Sequence, residues 1–565
     1  MTPTPWIQVY DPLGTAWLST AAAALPIVLL LVTLGWLEWR AHMAALAGLL
    51  AALFVSTFVF GMPLTSATAT AVYGAAYGFL PIGWIILNAV FLYNLTVETG
   101  QFEIVKSSVG RVSRDRRIQA LLVAFSFGAF IEGASGFGTP VAICSALLIG
   151  LGFTPLYAAG LSLIANTAPV AFGAIGTPIL TLGAVSGLPA ATLGVMAGRQ
   201  LPFVSLIVPA WLVVTMSGWR GLRSVWPAVL VCGGTFAVVQ FAWSNLVGPE
   251  LVDIAGGLTS IAALAAFCRV WRPRDAWEDA QVAAPVISEP AHGIHARAPH
   301  GVARAWIPWV FLSIAVIIWG LAPVKAFLNR GVLAPAYRVP MVHRMVFRDY
   351  PVVTARVDPG LIADERYRNE RAEPAMFTVN WASATGTAIL LAALLSALYL
   401  QVSAAQLFAV ARSTLIRMRY PLATIMLMMA LGFVTRYGGT DATLGLAFTR
   451  TGWFYPFFAT LLGWLGVALT GSDTSSNVLF GSLQKITAQQ LGFNPVLIWT
   501  ANSTGGVMGK MIDAQSIVVA TASTGQTGQE GRILRFVFWH SVALAAIMGV
   551  IVMLQAYVFP WMIPG

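Results

Sequence analysis

Carboxylates, amides, hydroxyls and glycines are concentrated in two stretches of an otherwise apolar chain. The first stretch, 132–178, begins with Glu132 and contains an Asn-Thr-Ala-Pro step. The second stretch, 471–515, contains Asp473 and an Asn-Ser-Thr step. Polar, helix-breaking backbone at membrane depth is tolerated only where it is buried in protein or lines a wet cavity. The two stretches therefore predict a buried binding site built from broken membrane helices.

The composition indicates a membrane protein. Of the 565 residues, 58% are hydrophobic and only 10% are charged, whereas a soluble domain carries about 25% charged residues. The formal net charge is +10, but the basic residues lie in loops between apolar segments, where Lys and Arg orient a chain in the bilayer. We therefore expect membrane lipid around the chain and no nucleic-acid partner.

The cysteines and histidines predict neither a metal site nor a cofactor. Three cysteines lie in apolar sequence without metal-ligand spacing. No acidic or cysteine residue has the sequence spacing needed to bind a metal together with His292, His295 and His300. They are interpreted as incidental residues of a linker.

Eleven apolar segments are long enough to cross a hydrocarbon core of about 30 Å. They are 19–37, 43–60, 79–97, 201–216, 226–243, 251–267, 306–321, 381–400, 420–435, 455–469 and 536–557. Placing the basic clusters between them in the cytoplasm puts both termini and the segment 322–380 outside. The segment 272–304 is then a cytoplasmic linker.

The two polar stretches share an order of features, which predicts an internal repeat. A Gly-Phe-Thr-Pro turn precedes Asn166, and Gly173 follows Asn166 by seven residues. A Gly-Phe-Asn-Pro turn precedes Asn502, and Gly509 follows Asn502 by seven residues. Chance similarity between glycine-rich packed helices is the alternative, but it does not explain acids and amides inside the membrane. Each half is predicted to form a re-entrant helical hairpin and a broken transmembrane helix, in inverted orientation.

The motifs that carry these features also resemble the L-lactate permease family. They include Phe-Ile-Glu-Gly-Ala-Ser-Gly-Phe-Gly-Thr-Pro at 130–140, Thr-Gly-Ser-Asp-Thr-Ser-Ser-Asn at 470–477 and Gly-Gly-Val-Met-Gly-Lys-Met at 505–511. The resemblance extends from residue 25 to residue 563. It implies proton-coupled uptake of L-lactate, D-lactate or glycolate across the bacterial inner membrane.

Three residues depart from the family pattern. Asp513 stands where a small polar residue is expected, so a coupling role for it is open. Arg436 and Asp441 are unusual for the family and are expected to pair with each other.

A lactate anion needs donors for its carboxylate and its hydroxyl. Backbone N–H groups at a broken helix supply some of them, and short polar side chains supply others. The candidate substrate-binding residues are Ser135, Thr139, Asn166, Thr167, Arg199, Ser472, Thr474, Ser475, Asn477, Asn502, Ser503, Thr504 and Lys510. Lys510 can instead snorkel to the interface, and Arg199 can instead pair with an acidic neighbour or a lipid headgroup.

Glu132 and Asp473 are the candidate proton-coupling residues. Moving an anion inward against the membrane potential costs about 2.3 kcal/mol per 100 mV, and a co-transported proton removes this penalty. Burial favours the protonated form of a carboxyl group. The alternatives are a carboxylate that caps its own hairpin, or one paired with Lys510 or Arg199. His540 lies in an apolar span, where a packing role is expected.

By analogy with elevator-type carriers, the chain is predicted to divide into a transport part and a scaffold. Segments 118–217 and 420–535 are the transport repeats, 1–117, 218–271 and 305–419 are scaffold, and 536–565 is a final helix. A homodimer is compatible with this division. Sodium coupling is the alternative mechanism. A channel and an intramembrane enzyme are further classes, but no nucleophile elbow, zinc motif or nucleotide loop is present in the sequence.

Overall fold

The computed structural model describes residues 5–564 except 36, 38, 111, 114, 137, 274, 276–300, 354–355 and 527–528. Most of the predicted linker 272–304, including its three histidines, lies outside the described residues. The described chain is predominantly helical, as the sequence predicts for a polytopic all-α membrane protein.

The helices are α1 (Ala16–Gly35), α2 (Ala41–Phe54), α3 (Leu64–Tyr77), α4 (Trp84–Glu98), α5 (Gln101–Gly110), α6 (Arg116–Ala120), α7 (Gly128–Ala134), α8 (Thr139–Gly150), α9 (Pro155–Ala165), α10 (Gly173–Ser186), α11 (Ala190–Leu246), α12 (Val252–Val270), α13 (Val302–Gly320), α14 (Ala322–Leu328), α15 (Glu365–Arg371), α16 (Thr385–Tyr399), α17 (Ala404–Gly438), α18 (Thr440–Phe448), α19 (Tyr455–Thr470), α20 (Asp473–Leu491), α21 (Pro495–Gly509), α22 (Ala514–Ser523) and α23 (Glu530–Tyr557). Short π-helical segments, Val55–Val59, Gly78–Gly83 and Leu121–Phe127, extend or join some of these helices.

Four short strands accompany the helices. They are β1 (Trp6–Ile7), β2 (Ala336–Arg338), β3 (Val346–Phe347) and β4 (Met376–Thr378). The strand β1 pairs in parallel with β3, and β2 pairs antiparallel with β4. All but β1 belong to the predicted outer segment, which is therefore folded against the N-terminal residues.

Among the described residues, eight helices are long and apolar enough to cross a membrane, or nine if the bent pair α9–α10 counts as one span. The predicted spans 201–216 and 226–243 lie in the single run α11, which bends at Gly218 (φ 66°). The helix α3 was not predicted, because its serines, threonines and small residues lower its hydropathy.

Small residues allow the helices of the core to approach closely. Cβ atoms added at Gly463 and Gly505 would collide with backbone carbonyls of Asn502 and Thr460, so α19 and α21 are packed backbone to backbone. Such contacts are the usual means of association between membrane helices, where lipid offers no hydrophobic driving force. The close packing holds the second polar stretch against α19.

Candidate functional site

The first polar stretch forms a helical hairpin followed by a broken helix. A continuous helical run, Arg116–Ala134, ends at Ser135, and the chain turns through Gly136 (φ 61°) and Gly138 (φ 78°) into α8. Glycine is suited to both positions because they need left-handed backbone. The shorter arm α8 then runs back along the first, where Cys144 Sγ donates to the carbonyl of Val123 at 3.1 Å.

The break in the first stretch is strained. The helices Pro155–Ala165 and Val170–Ser186 meet at 64°. Ala174 and Ile175 have φ values of 43° and 59°, and side chains with a Cβ adopt such backbone only at a cost of about 1–3 kcal/mol. The surrounding structure therefore fixes an irregular turn in the protein core, where backbone groups are freed from the helical pattern.

The second polar stretch has the same sequence of elements. The helix α19 ends at Gly471 (φ 72°), and Ser472 Oγ caps the backbone N–H of Ser475 at 3.3 Å. The helix α21 then ends at Gly509, and α22 begins after Asp513, whose Oδ1 accepts from the N–H of Ser516 at 2.7 Å. The capping makes this carboxylate part of the start of α22.

Glu132 lies at the tip of the first hairpin, against the broken helix. It is 4% exposed, and a Cβ at Gly173 would lie 2.5 Å from its Oε1. Its Oε2 has no hydrogen-bond partner. The adjacent Asn166 is buried too, and both polar atoms of its amide lack a partner. Buried polar atoms without partners are rare in proteins and point to a missing ligand, ion or water.

Asp473 lies within a hydrogen-bonded network. Its Oδ2 accepts from Ser503 Oγ and from Asn477 Nδ2, while its Oδ1 has no partner and faces Gly506. Asn502 donates to Asn477 Oδ1 at 2.8 Å. The carbonyl of the same amide accepts from Gln484 at 2.7 Å, so Asn502 is satisfied by protein.

Lys510 is buried at the break between α21 and α22. Its ammonium group donates to the carbonyl of Gly471 at 2.6 Å and lies 3.2 Å from Asp513 Oδ2. The side chain is 5% exposed, so the snorkelling interpretation of Lys510 is wrong. Glu132 and Asp473 both lie within electrostatic range of Lys510.

The two stretches meet in the interior. Asn477 Nδ2 donates to the carbonyl of Pro178 at 3.2 Å, which joins α20 to the broken helix α10. The charge of Lys510 connects the second break with the first hairpin tip. The structure thus brings Glu132, Asn166, Asp473 and Lys510 into one buried polar region.

The remaining predicted residues have other contacts. Thr504 donates to Gln200 at 2.7 Å, Ser135 to the carbonyl of Ile131 at 3.1 Å and Thr167 to that of Ile164 at 2.7 Å. Thr139, Thr474 and Ser475 lie in the first turns of α8 and α20.

Arg199 does not reach this polar region. Its guanidinium donates to Asn245 Oδ1 at 3.0 Å and to the carbonyl of Met562 at 2.7 Å. His540 accepts from Trp211 Nε1 at 2.9 Å, which fits the expected packing role.

The expected ion pair between Arg436 and Asp441 is wrong. Arg436 pairs with Glu373 at 3.2 Å and donates to the carbonyl of Val185 at 3.0 Å. Asp441 Oδ1 accepts from the backbone N–H of Ala442 at 2.6 Å. The outer segment, which contains Glu373, supplies the closer carboxylate.

Sequence reasoning missed three buried polar residues around the site. Gln484 and Gln200 hold Asn502 and Thr504, and Asp253 packs against the first hairpin beside Glu132. The sequence offered one signal for Asp253, namely that this acid stands two residues after the start of the predicted apolar span 251–267. A charge so close to the end of a span is easily attributed to the interface.

Comparison with known proteins shows extensive similarity. The family model for L-lactate permease matches residues 19–559. The glycolate permease GlcA of Escherichia coli (strain K12) is 47% identical over 99% of both chains, and the L-lactate permease of the same strain is 46% identical over 99% of this chain and 100% of that protein. The L-lactate permease of Bacillus subtilis (strain 168) is 44% identical over 99% of this chain and 100% of that protein.

A solved structure was also matched. The Alcanivorax borkumensis YdaH transporter, described as having an unusual topology, gives a TM-score of 0.43 at 13% identity, over 87% of this chain and 88% of that chain.

The helices and the family match together define a multi-pass membrane transport protein rather than an enzyme. The chain belongs to the L-lactate permease family.

Proposed function

We propose that the chain is a proton-coupled symporter that takes up short 2-hydroxy monocarboxylates, such as L-lactate, D-lactate and glycolate, across the bacterial inner membrane. The names of its relatives support the substrates. The proposal includes the predicted orientation, with both termini and the segment 322–380 outside.

The observation that carries the coupling is the charge balance of the buried polar region. Glu132, Asp473 and Asp513 lie near a single lysine, Lys510, among the described residues there, and Asp253 lies beside Glu132. With all four acids ionised, this group carries a net charge of −3, which repels a carboxylate. Each proton bound by Glu132 or Asp473 reduces this negative charge by one, so binding of the anion is favoured when protons bind first.

The substrate carboxylate is attracted to Lys510 once Glu132 and Asp473 are protonated. Asn166 is placed to hydrogen bond with the carboxylate or hydroxyl, because its amide is buried beside the carboxyl group of Glu132 and neither of its polar atoms makes a hydrogen bond of good geometry. The irregular turn at Ala174 and Ile175 adds backbone donors, as at other broken helices. Release reverses the order: loss of the protons restores the negative charge and expels the anion.

Movement between the two sides follows the predicted division into two transport repeats and a scaffold, in which the repeats slide as one body. The contact between Asn477 and Pro178 supports this division, since it ties the repeats together. A homodimer of scaffold parts remains part of this proposal.

The test uses the purified chain in proteoliposomes. Labelled lactate and glycolate should accumulate when the lumen is alkaline relative to the bath, and an uncoupler should abolish accumulation. Replacing sodium by choline should have no effect. Accumulation that requires sodium and ignores the pH gradient would establish the alternative coupling ion, and equilibration without accumulation or counterflow would indicate a channel.

A further inference from the structure

Asp253 is an acid that the proposed transport cycle does not use. It lies in the first turn of α12 and is fully buried, at 0% exposure. Neither carboxylate oxygen has a hydrogen-bond partner. The position near a helix N-terminus favours negative charge by up to about 2 kcal/mol, but this is far less than the penalty for burying an unpaired carboxylate. A structural role in capping α12 therefore does not explain Asp253.

The helix α12 is held unusually close to the first hairpin. A Cβ at Gly133 would lie 2.8 Å from Cβ of Asp253, and a Cβ at Gly257 would lie 2.7 Å from the backbone N of Phe130. Further along, the hydroxyls of Ser126 and Ser260 are 2.8 Å apart. The two helices are antiparallel and in backbone contact along most of this length, so Asp253 has a fixed place beside the hairpin tip.

Glu132 is the group that faces Asp253. It is the neighbour of Gly133 in sequence, and the two carboxylates are within electrostatic range of each other. Among the described residues of the helices packed on α12, no other charged group acts on Asp253. Lys510 and Asp513 are also within electrostatic range of Glu132, and the amide of Asn166 lies beside its carboxyl group.

Two neighbouring buried carboxylates cannot both be ionised without a large repulsion, and such a pair titrates as a unit. We propose that Asp253 and Glu132 titrate as a coupled pair, in which the charge on Asp253 sets how readily Glu132 takes up the transported proton. The two carboxyl groups act on each other through their charges, because neither oxygen of Asp253 makes a hydrogen bond. This inference rests on the proposed proton-coupled function.

The coupling between Asp253 and Glu132 has a consequence for which helices move during transport. The glycine contacts fix α12 to the hairpin that carries Glu132, so this inference assigns α12 to the moving part and revises the division used above, in which 218–271 is scaffold. The sequence alone predicted that α12 belongs to the scaffold. If α12 stayed with the scaffold, Asp253 and Glu132 would separate when the repeats move; if α12 moves with the repeats, the two acids stay together.

The experiment measures the pH dependence of lactate uptake into proteoliposomes for the parent chain, Asp253→Asn, Asp253→Glu and Ser260→Ala. Removing the neighbouring negative charge makes Glu132 bind its proton less readily. Asp253→Asn should therefore shift the pH of half-maximal uptake towards acid by about one pH unit. Asp253→Glu should return the profile towards that of the parent. Ser260→Ala disturbs the same helix contact without removing an acid, and it should leave the profile in place.

A second measurement does not depend on how well the Asp253 variants fold. A hydrophobic carbodiimide reacts with protonated buried carboxyl groups, and mass spectrometry of the parent chain locates the product. Asp253 should be labelled, with labelling that declines as the pH rises, and Glu132→Gln should shift that decline towards acid.

The inference is overturned if Asp253 is unlabelled at every pH, if Glu132→Gln leaves the labelling curve unchanged, or if Asp253→Asn keeps the parent uptake profile. A shift of equal size in Ser260→Ala would assign the effect to packing and also overturn it. Failure of the proposed function looks different, because the parent chain itself would then show no uptake driven by a pH gradient.

Discussion

Two asparagines at equivalent positions of the sequence repeat have different structural surroundings: Asn166 ends α9, whereas Asn502 lies within α21, which continues to Gly509. Asn166 has two unpartnered polar atoms, whereas Asn502 donates to Asn477 and accepts from Gln484. The repeat in the sequence treats them alike, but of the two amides it is that of Asn166 whose polar atoms the packing leaves without well-formed hydrogen bonds, which supports Asn166 as the proposed substrate ligand.

We therefore expect different defects in Asn166→Ala and Asn502→Ala. Both should weaken lactate binding, as the repeat predicts, but Asn166→Ala should do so by about fivefold with little loss of stability, since one hydrogen bond is worth about 1 kcal/mol. Asn502→Ala leaves the buried Asn477 Oδ1 without its donor and removes one of the two acceptors of Gln484 Nε2, so it should lower the free energy of unfolding by about 1–3 kcal/mol. Radioligand binding and thermal unfolding in detergent measure the two effects. Parent-like affinity in Asn166→Ala would contradict its assignment.

The acids are tested by isosteric neutral variants. Glu132→Gln and Asp473→Asn should each abolish lactate accumulation driven by a pH gradient, because neither amide can bind and release a proton. Insertion should persist, as shown by yield and elution volume on gel filtration. The exposed Glu370→Gln serves as a control and should accumulate lactate normally. If the double variant still accumulates lactate, the two acids are not the proton carriers.

Most residues of the central site could be predicted from the sequence, because they are polar residues within membrane-length apolar segments. Glu132, Asp473, Asn166 and Lys510 are polar groups in apolar surroundings, and lipid physics makes such residues conspicuous. The charge of Asp253 near the end of a span was not conspicuous. The partner of an amide or guanidinium depends on contacts between distant segments, so the positions of Arg199 and Arg436 could not be read from spacing.

At the scale of elements, the outer segment is held to the helices by a partly buried ion pair between Glu373 and Arg436. Glu373 contacts Arg348 at 3.0 Å and Arg436 at 3.2 Å. Burial raises the pKa of Glu373, but the charges of the two arginines outweigh it and hold the pKa below its ordinary value. Because the pKa of Glu373 is lowered, its ionised form stabilises the docked outer segment fully at pH values above the ordinary glutamate pKa of about 4.3. This stabilisation is lost as the pH falls through the lowered pKa.

Glu373→Gln should loosen the outer segment at neutral pH. The amides of β2 and β4 should exchange hydrogen faster than in the parent, because the segment loses its ionic contact with α17. The parent at a pH below the lowered pKa of Glu373 should show the same change after correction for intrinsic exchange rates. Glu370→Gln, which removes an exposed i,i+4 pair with Arg366, should not. Unchanged exchange in Glu373→Gln would mean that the strands alone hold the segment.

The contact between α19 and α21 is a second element whose geometry depends on glycine. A Cβ at Gly505 would collide with the carbonyl of Thr460, whereas a Cβ at Gly531 meets nothing within 4 Å. Gly505→Ala should lower stability by about 1–3 kcal/mol through overpacking, and Gly531→Ala should not. Thermal unfolding of both variants in the same detergent measures the difference. Equal melting temperatures would show that α19 can move aside freely.

For the whole molecule, composition and hydropathy predicted a polytopic helical membrane protein correctly, because the bilayer allows few alternatives. The details that escaped were those set by tertiary context. The small polar residues of α3 hide a helix, and the outer segment forms strands, one of which pairs with the N-terminal residues. The kink at Gly218 agrees with the prediction of two separate spans, 201–216 and 226–243. The partner of β3 is remote in sequence, so its pairing could not be predicted from local pattern.

The bare backbone at Gly133 and Gly257 has a consequence for comparing members of the family. These two positions set how near the α12 acid stands to the hairpin tip. In a natural variant that carries even a methyl group at either position, the two helices must stand farther apart and the acids must become independent. The residue at these positions should therefore help to distinguish relatives that differ in the number of protons moved per turnover.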